Sequence, residues 1–180
     1  MRETPFKKSW WVVEGRLLAG CYPGDMDEAE AARKLSNLLD AGIRAVVCLQ
    51  EEDERDFGGR PFAPYRNALE QMARDRGFEV HWRRFPIRDY SVPDVGAMKS
   101  ILDEIDVFLD ANLPVYVHCW GGHGRTGTVV GCWLVRKGMT GQQALEELFR
   151  LRRCHSELHG WSCPQSSDQI SMVQHWRVGQ

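Results

Sequence analysis

Two short runs, RAVVCL (44–49) and PVYVH (114–118), place apolar residues in unbroken succession instead of alternating them with polar ones. A strand of that kind is buried on both faces, which is the condition of the inner strands of a helix-covered parallel sheet. Helical spacing fills the gaps between such runs. Val95, Met98, Ile101, Leu102, Ile105, Phe108 and Leu109 form an amphipathic stripe ahead of the second run. Residues 10–13 and 16–19 read as short strands about a Glu14-Gly15 turn. Asp25-Met-Asp-Glu28 has capping-box form and opens a helix that runs to Ala41 and stops at Gly42. After strand 44–49, the pattern predicts a loop over 50–64, a helix over 65–76, a strand over 78–85 and a loop over 86–94. Helices over 126–137, 140–153 and 167–176 complete the chain. The expectation is a single α/β domain over residues 1–180, with a mainly parallel sheet and helices on both faces.

Composition narrows the class. The chain has 180 residues, enough for one sizeable core, and 23 basic against 25 acidic residues give a net charge of −2. That balance argues against a broad nucleic-acid surface while leaving room for a local basic pocket. No apolar run approaches the roughly 18 residues that span a bilayer, and MRETPFKKSWWVVEG lacks the apolar core of a secretory signal. Cysteines at 21, 48, 119, 132, 154 and 163 are too sparse for a disulfide scaffold, so a reducing, cytoplasmic setting is expected.

The chemistry concentrates in VYVHCWGGHGRTGTVVG (115–131), a strand, a glycine-dense turn and a helix start. Gly122-His-Gly-Arg-Thr-Gly127 formally matches the GxGxxG dinucleotide fingerprint. It lies two-thirds along the chain, however, and the acids about 20 residues on, Glu146 and Glu147, sit in a helical pattern, not at a strand end. An arginine inside the turn would also crowd a pyrophosphate. Counted from the cysteine, the same stretch reads Cys119-x5-Arg125. Glycines 121, 122 and 124 let the backbone curl so that Trp120, Gly121, Gly122, His123 and Gly124 turn N–H groups toward an anion. The following helix adds the positive end of its dipole, and Arg125 can hold two oxygens of a tetrahedral anion. A cysteine beneath such a bowl is favoured as thiolate and aligned for in-line attack on phosphorus.

His118-Cys119-x5-Arg125-Thr126-Gly127, with its strand before and helix after, resembles the phosphate-binding signature of the cysteine-based protein tyrosine phosphatase superfamily. The compact size is similar to its dual-specificity branch. The resemblance implies Cys119 as nucleophile, Arg125 as phosphate ligand, Thr126 as hydrogen-bond donor to the Cys119 sulfur and His118 as a brace for the loop. It also implies a general-acid aspartate on an upstream loop. PIRDYSVPD (86–94) offers Asp89 and Asp94; Ser91-x-x-Asp94 has capping-box form, which leaves Asp89 for the acid. Gln169 resembles a water-orienting glutamine of some members, and Ser166-x-x-Gln169 is also a plain capping box. Cys48, at the end of a strand, resembles a cysteine that in some relatives pairs with the oxidised nucleophile. The implied reaction needs no cofactor or metal.

His123 can lend positive charge to the pocket rim, and Arg83, Arg84 and Arg88 can meet an anionic partner or lie solvated. Cys154, His155, His159 and Cys163 have metal-ligand residue types at no standard zinc spacing. Trp10, Trp11, Trp161 and Trp176 can be core or contact residues. The expected substrates are phosphorylated proteins or small phosphomonoesters, phosphotyrosine foremost, with phosphoserine/threonine beside it. Inositol phosphates, or phosphate binding without turnover, are the alternatives.

Overall fold

The structure, a computed structural model, describes residues 3–153, 156–158, 160–177 and 179, with the side chain of Ser156 excepted. In chain order the elements are β1 (Ser9–Val13), β2 (Leu17–Gly20), α1 (Glu28–Asp40), β3 (Ala45–Cys48), α2 (Arg66–Asp75) and β4 (His81–Arg84). Then follow α3 (Val95–Asp110), β5 (Val115–His118), α4 (Gly124–Arg136), α5 (Gly141–Arg152), a short 3₁₀ turn (Ser156–Leu158) and α6 (Ser167–His175). The sheet order is β1-β2-β5-β3-β4. Only β1 runs antiparallel to its neighbour, so the sheet is mainly parallel as expected.

The unbroken apolar runs are the two innermost strands, and period-two alternation divides them between two cores. Val46, Tyr116 and Leu18 face α1 and α2, against Leu35, Leu38, Leu39 and Leu69. Ala45, Val47, Val115 and Val117 face the other layer, built on α3, α4, α5 and α6. The α3 stripe is buried from Met98 to Leu109, while Val95 is exposed at the helix start. Trp10, Trp11 and Trp176 belong to the cores, whereas Trp161 is exposed.

Three of the differences from the expected boundaries have causes visible in the contacts. The cap of α1 is Asp27, whose carboxylate accepts from the amides of Ala29 and Glu30. Asp25 instead accepts from Asp27 and pairs with Lys34 at 2.7 Å. The β4 strand starts at His81 because Phe78 still bonds back to Ala73 at the end of α2, and its ring stacks under Arg44. Most consequentially, α4 begins at Gly124 rather than Thr126, so Arg125 lies in its first turn.

Candidate active site

The carboxyl end of β5, the amino end of α4 and the loop after β4 converge on one cavity. Its volume is about 200 Å³, and its wall includes Asp89, Cys119, His123, Gly124 and Arg125. This places the expected nucleophile and phosphate ligand, six residues apart in the chain, together with the expected acid, 30 residues before the nucleophile. Cys119 is nearly buried at its floor.

The loop above Cys119 is held by close backbone contact. Gly122 has φ +76°, and a Cβ there would lie 2.5 Å from the carbonyl carbon of Gly20 and 2.7 Å from the amide nitrogen of Cys21. Only glycine meets both conditions. A Cβ on Gly124 would meet the amide oxygens of Gln165 and Gln169 at 2.9 Å. The first backbone bond of α4 runs from the Gly127 amide to His123 at 3.1 Å, and His123 caps the helix without a side-chain bond. Among the described residues, no backbone or side-chain acceptor takes the amide N–H groups from 120 to 126. Buried N–H groups are normally paired, and a run of unpaired donors over a helix start has the chemistry to take up an anion.

Arg125 is wholly buried at the cradle's edge. Its Nη1 donates to Glu54 Oε2 at 2.5 Å and to the carbonyl of Ile87 at 3.0 Å. Its Nη2 donates to Glu54 Oε1 at 2.8 Å and pairs with Asp89 Oδ1 at 2.9 Å. Nε has no partner among the described residues. Burial works against the charge, but the Glu54 hydrogen bond and the charges of Cys119, Glu54 and Asp89 outweigh it and hold the guanidinium pKa above its ordinary range.

Glu54 has no counterpart in the sequence reading, where residues 50–64 form only an acid-rich loop. Gln50 and the Glu51 amide steady its carboxylate, each at 3.2 Å. A signal does exist: an arginine placed beneath a substrate needs a permanent counter-ion, and QEEDERD follows β3 directly. Which of its acids turns inward depends on the loop's path.

His118 is buried, with Nδ1 3.0 Å from the Cys119 carbonyl and Nε2 2.5 Å from the Tyr65 hydroxyl. A carbonyl only accepts, so Nδ1 carries the proton and Nε2 accepts from Tyr65. Tyr65 in turn accepts from the Trp82 indole N–H at 2.9 Å. Burial pushes the His118 pKa down to about 4, so the ring is a neutral strut, in keeping with the bracing role. Tyr65 and Trp82 extend that strut and escaped the sequence reading.

Other expectations are redrawn. His123 supplies no charge to the rim. Its Nδ1 accepts from Arg152 Nη2 at 2.6 Å, its ring stacks on Trp161, and burial and Arg152 push its pKa down to about 4. The Thr126 hydroxyl lies 3.5 Å from the carbonyl of Gly20, its one hydrogen-bond acceptor among the described residues. Asp94 is itself the cap of α3, accepting from the Ala97 amide at 2.8 Å, and not the third residue of a box opened by Ser91 as expected, because α3 starts only at Val95. Gln169 completes the expected capping box with Ser166, and its amide nitrogen donates to the carbonyl of Ser91 at 3.2 Å. Ser166 also donates to the carbonyl of Tyr90, so the start of α6 holds the loop that carries Asp89.

Cys48 is buried at the end of β3 beside His118 in register, and burial raises its thiol pKa to about 11. Arg83 pairs with Glu104 at 3.0 Å, Arg88 is exposed, and Arg84 lies over Trp82. Cys154, His155 and His159 lie outside the described residues, and a Cβ on Gly127 would meet the Cys163 sulfur at 2.4 Å. Among the described residues, no helix is long and apolar enough to cross a membrane.

Comparison with known proteins places the fold and the family. The chain is 26% identical over 166 residues to the Arabidopsis thaliana phosphatidylinositol 3,4,5-trisphosphate 3-phosphatase and protein-tyrosine-phosphatase PTEN1, covering 91% of this chain and 36% of that protein. It is 28% identical over 153 residues to the mouse dual specificity protein phosphatase CDC14B, covering 80% of this chain and 27% of that one. The chain thus spans well under half the length of these relatives. The fold matches that of Tk-PTP in its active form with a TM-score of 0.66 at 24% identity, over 93% and 94% of the two chains. It matches PTPMT1 in complex with PI(5)P with a TM-score of 0.67 at 18% identity, over 93% of each chain. P. aeruginosa TpbA in complex with pTyr gives 0.65 at 18%, over 98% of this chain and 88% of that one. A family model described as Swiss Army Knife protein, DSP-PTPase phosphatase domain, matches residues 7–177. The chain belongs to that DSP-PTPase phosphatase family.

Proposed function

We propose that this protein hydrolyses phosphate monoesters, phosphotyrosine in proteins first among them, through a cysteinyl-phosphate on Cys119. The observation that carries the reading is how Arg125 divides its donors. Glu54 occupies the end-on edge formed by Nη1 and Nη2. The side-on edge is Nε, which has no hydrogen-bond partner among the described residues, and the second proton of Nη2, a nitrogen that Asp89 Oδ1 approaches to 2.9 Å as an ion pair. A phosphoryl group has the two oxygens to take that edge bidentately, and an orphaned buried donor costs about 1–3 kcal/mol until it is satisfied. Taking Nη2 frees Asp89 to face the leaving oxygen.

The Cys119 thiolate then attacks phosphorus while the bond to the leaving oxygen breaks, and Asp89 donates its proton to that oxygen. In the second step a water attacks phosphorus, the Asp89 carboxylate takes its proton, and the P–S bond breaks to release phosphate and thiolate. The amides of 120–126 and Arg125 stabilise the equatorial oxygens throughout.

An aryl phosphate suits the walls. Phe57, Tyr90, Trp120 and Trp161 line the cavity, against two cations, Arg125 and Lys8. A polyphosphorylated inositol would call for more positive charge. A reducing, cytoplasmic setting, expected from the sparse cysteines of the sequence, is kept in the proposal. The proposal includes Cys48 as redox partner: peroxide oxidises the Cys119 thiolate to a sulfenic acid, and the Cys48 thiol displaces water to form a disulfide. Peptide mapping after peroxide checks this, and linkage of Cys119 to Cys21 or Cys163 instead would remove it.

The main test is turnover of phosphotyrosine, phosphoserine and phosphothreonine peptides and of inositol phosphates, with Cys119→Ser as the blank. Phosphotyrosine peptide should lead, and the mutant should be silent. Faster turnover of inositol phosphates would reassign the substrate, turnover by Cys119→Ser would remove the covalent mechanism, and phosphate binding without turnover would make this a silent module.

A further inference from the structure

A second cavity, of about 270 Å³, adjoins the catalytic one, and the two share Lys8, Trp120 and Gly121 in their linings. Trp120 stands as the partition, with the ring of Phe57 4.5 Å away and that of Phe62 5.4 Å away. Phe57, Tyr90 and Trp161 at the first cavity and Met26 at the second are four of the largest exposed apolar side chains among the described residues. Apolar side chains gathered at two connected openings mark a binding surface rather than scattered exposure.

The charges in these walls are unevenly committed. Lys34 pairs with Asp25 at 2.7 Å and Arg60 with Asp56 at 2.9 Å, so the second cavity's acids each hold a cation already. Arg125 is held by Glu54 and Asp89. Lys8 is exposed and has no ion pair among the described residues. Its backbone is nonetheless fixed. It adopts φ +60°, which is uncommon for a lysine, and its carbonyl accepts from the Cys21 amide at 3.1 Å. A strained backbone pinned to β2 thus carries one uncommitted ammonium to the boundary between the two cavities.

Resting on the phosphotyrosine reading, we infer that the second cavity is a subsite for the substrate residue next to the phosphotyrosine, and that Lys8 selects an acidic side chain there. An extended peptide would seat its phosphate over Cys119, cross Trp120 and present the neighbouring carboxylate to Lys8. A single ammonium matches one carboxylate, and the apolar walls suit the carbons of a peptide. Lys8 acts on selection, outside the chemistry at phosphorus.

The test compares kcat/KM for phosphotyrosine peptides carrying Glu, or Ala, at the positions flanking the phosphotyrosine, and reads the Glu-to-Ala ratio within each variant. The wild type should favour Glu by about three- to fivefold, the size of an exposed ion pair, with the preference in KM and erased by high salt. Lys8→Asn removes the charge with a residue that tolerates the left-handed backbone, and should bring the ratio to about one. Lys8→Asp should invert it, and Lys8→Arg should restore it. A ratio unchanged across these variants overturns the subsite while leaving the phosphatase reading intact. Phosphoinositide vesicles turned over faster than any peptide, or no phosphotyrosine turnover at all, would overturn both.

Discussion

Glu54 and Arg125 meet in a two-pronged ion pair of 2.5 and 2.8 Å, with both side chains almost wholly withdrawn from water. The pair fixes the plane of the guanidinium, and with it the direction of the edge left for phosphate. Glu54→Gln would set an amide N–H₂ against a guanidinium that can only donate, and the arginine would swing. Loss of alignment of that kind costs about 10²-fold in kcat/KM, while Glu54→Ala, which strips a buried charge of its partner, should also cost about 3–5 kcal/mol of stability. Vanadate affinity and urea unfolding measure the two effects. Undiminished vanadate binding by Glu54→Gln would show that Arg125 does not need this brace.

Asp89 and Asp94 stand on the same loop with different duties. Asp89→Asn should lower turnover by roughly 10²–10⁴-fold and leave binding intact. Asp94→Ala removes the cap of α3 and should cost about 1 kcal/mol of stability with turnover largely kept. Steady-state kinetics beside thermal unfolding separates them, and a reversed pattern would exchange the assignments.

Gly122 and Gly42 both have positive φ, but only Gly122 is pressed against backbone. Alanine at either should cost about 1–3 kcal/mol through the left-handed conformation. Gly122→Ala should in addition lose vanadate binding, because the contact with Gly20 and Cys21 forces the loop to shift. Equal vanadate affinity in the two variants would count against a rigid cradle.

His118 gives stability a pH dependence whose sign follows from its pKa of about 4 in the fold against an ordinary 6.5. Between those values the unfolded chain binds more protons than the folded one, so stability is complete above the ordinary value and falls as the pH drops toward the folded one. At about pH 5 the loss from this residue is about 2 kcal/mol. His123, also lowered to about 4, acts in the same direction. Urea titrations at about pH 7 and pH 5 should show a shallower difference in His118→Asn than in the wild type; equal differences would place the titration elsewhere.

Much of the fold is legible because its signals are local. The runs at 44–49 and 114–118 read as inner strands, and the α3 stripe and the box at Ser166 announce their helices. The order of the strands is a different matter. That β5 lies between β2 and β3 is decided by which faces bury together, and no window of residues contains that information. The same holds for the start of α4, two residues earlier than the sequence suggests, at a glycine packed so closely beneath Gln165 and Gln169 of a distant segment that a Cβ there would meet their amide oxygens at 2.9 Å.

Cys119, Arg125 and the glycines between them were readable because a phosphate cradle is a short, contiguous piece of backbone, and spacing alone encodes its curvature. Glu54, the Tyr65–Trp82 strut and the fate of His123 were not. Each depends on a buried charge or ring finding its partner across the chain, as Arg152 does 29 residues from His123 and Glu54 does 71 residues from Arg125. The sequence by itself determined the strand, the glycine-dense loop from Cys119 to Arg125 and the helix after it, because these are neighbours in the chain. Only the tertiary structure decided which carboxylate holds the arginine, which histidines stay neutral and where a lysine is left uncommitted, because pairing in a low-dielectric interior is settled by distance in space.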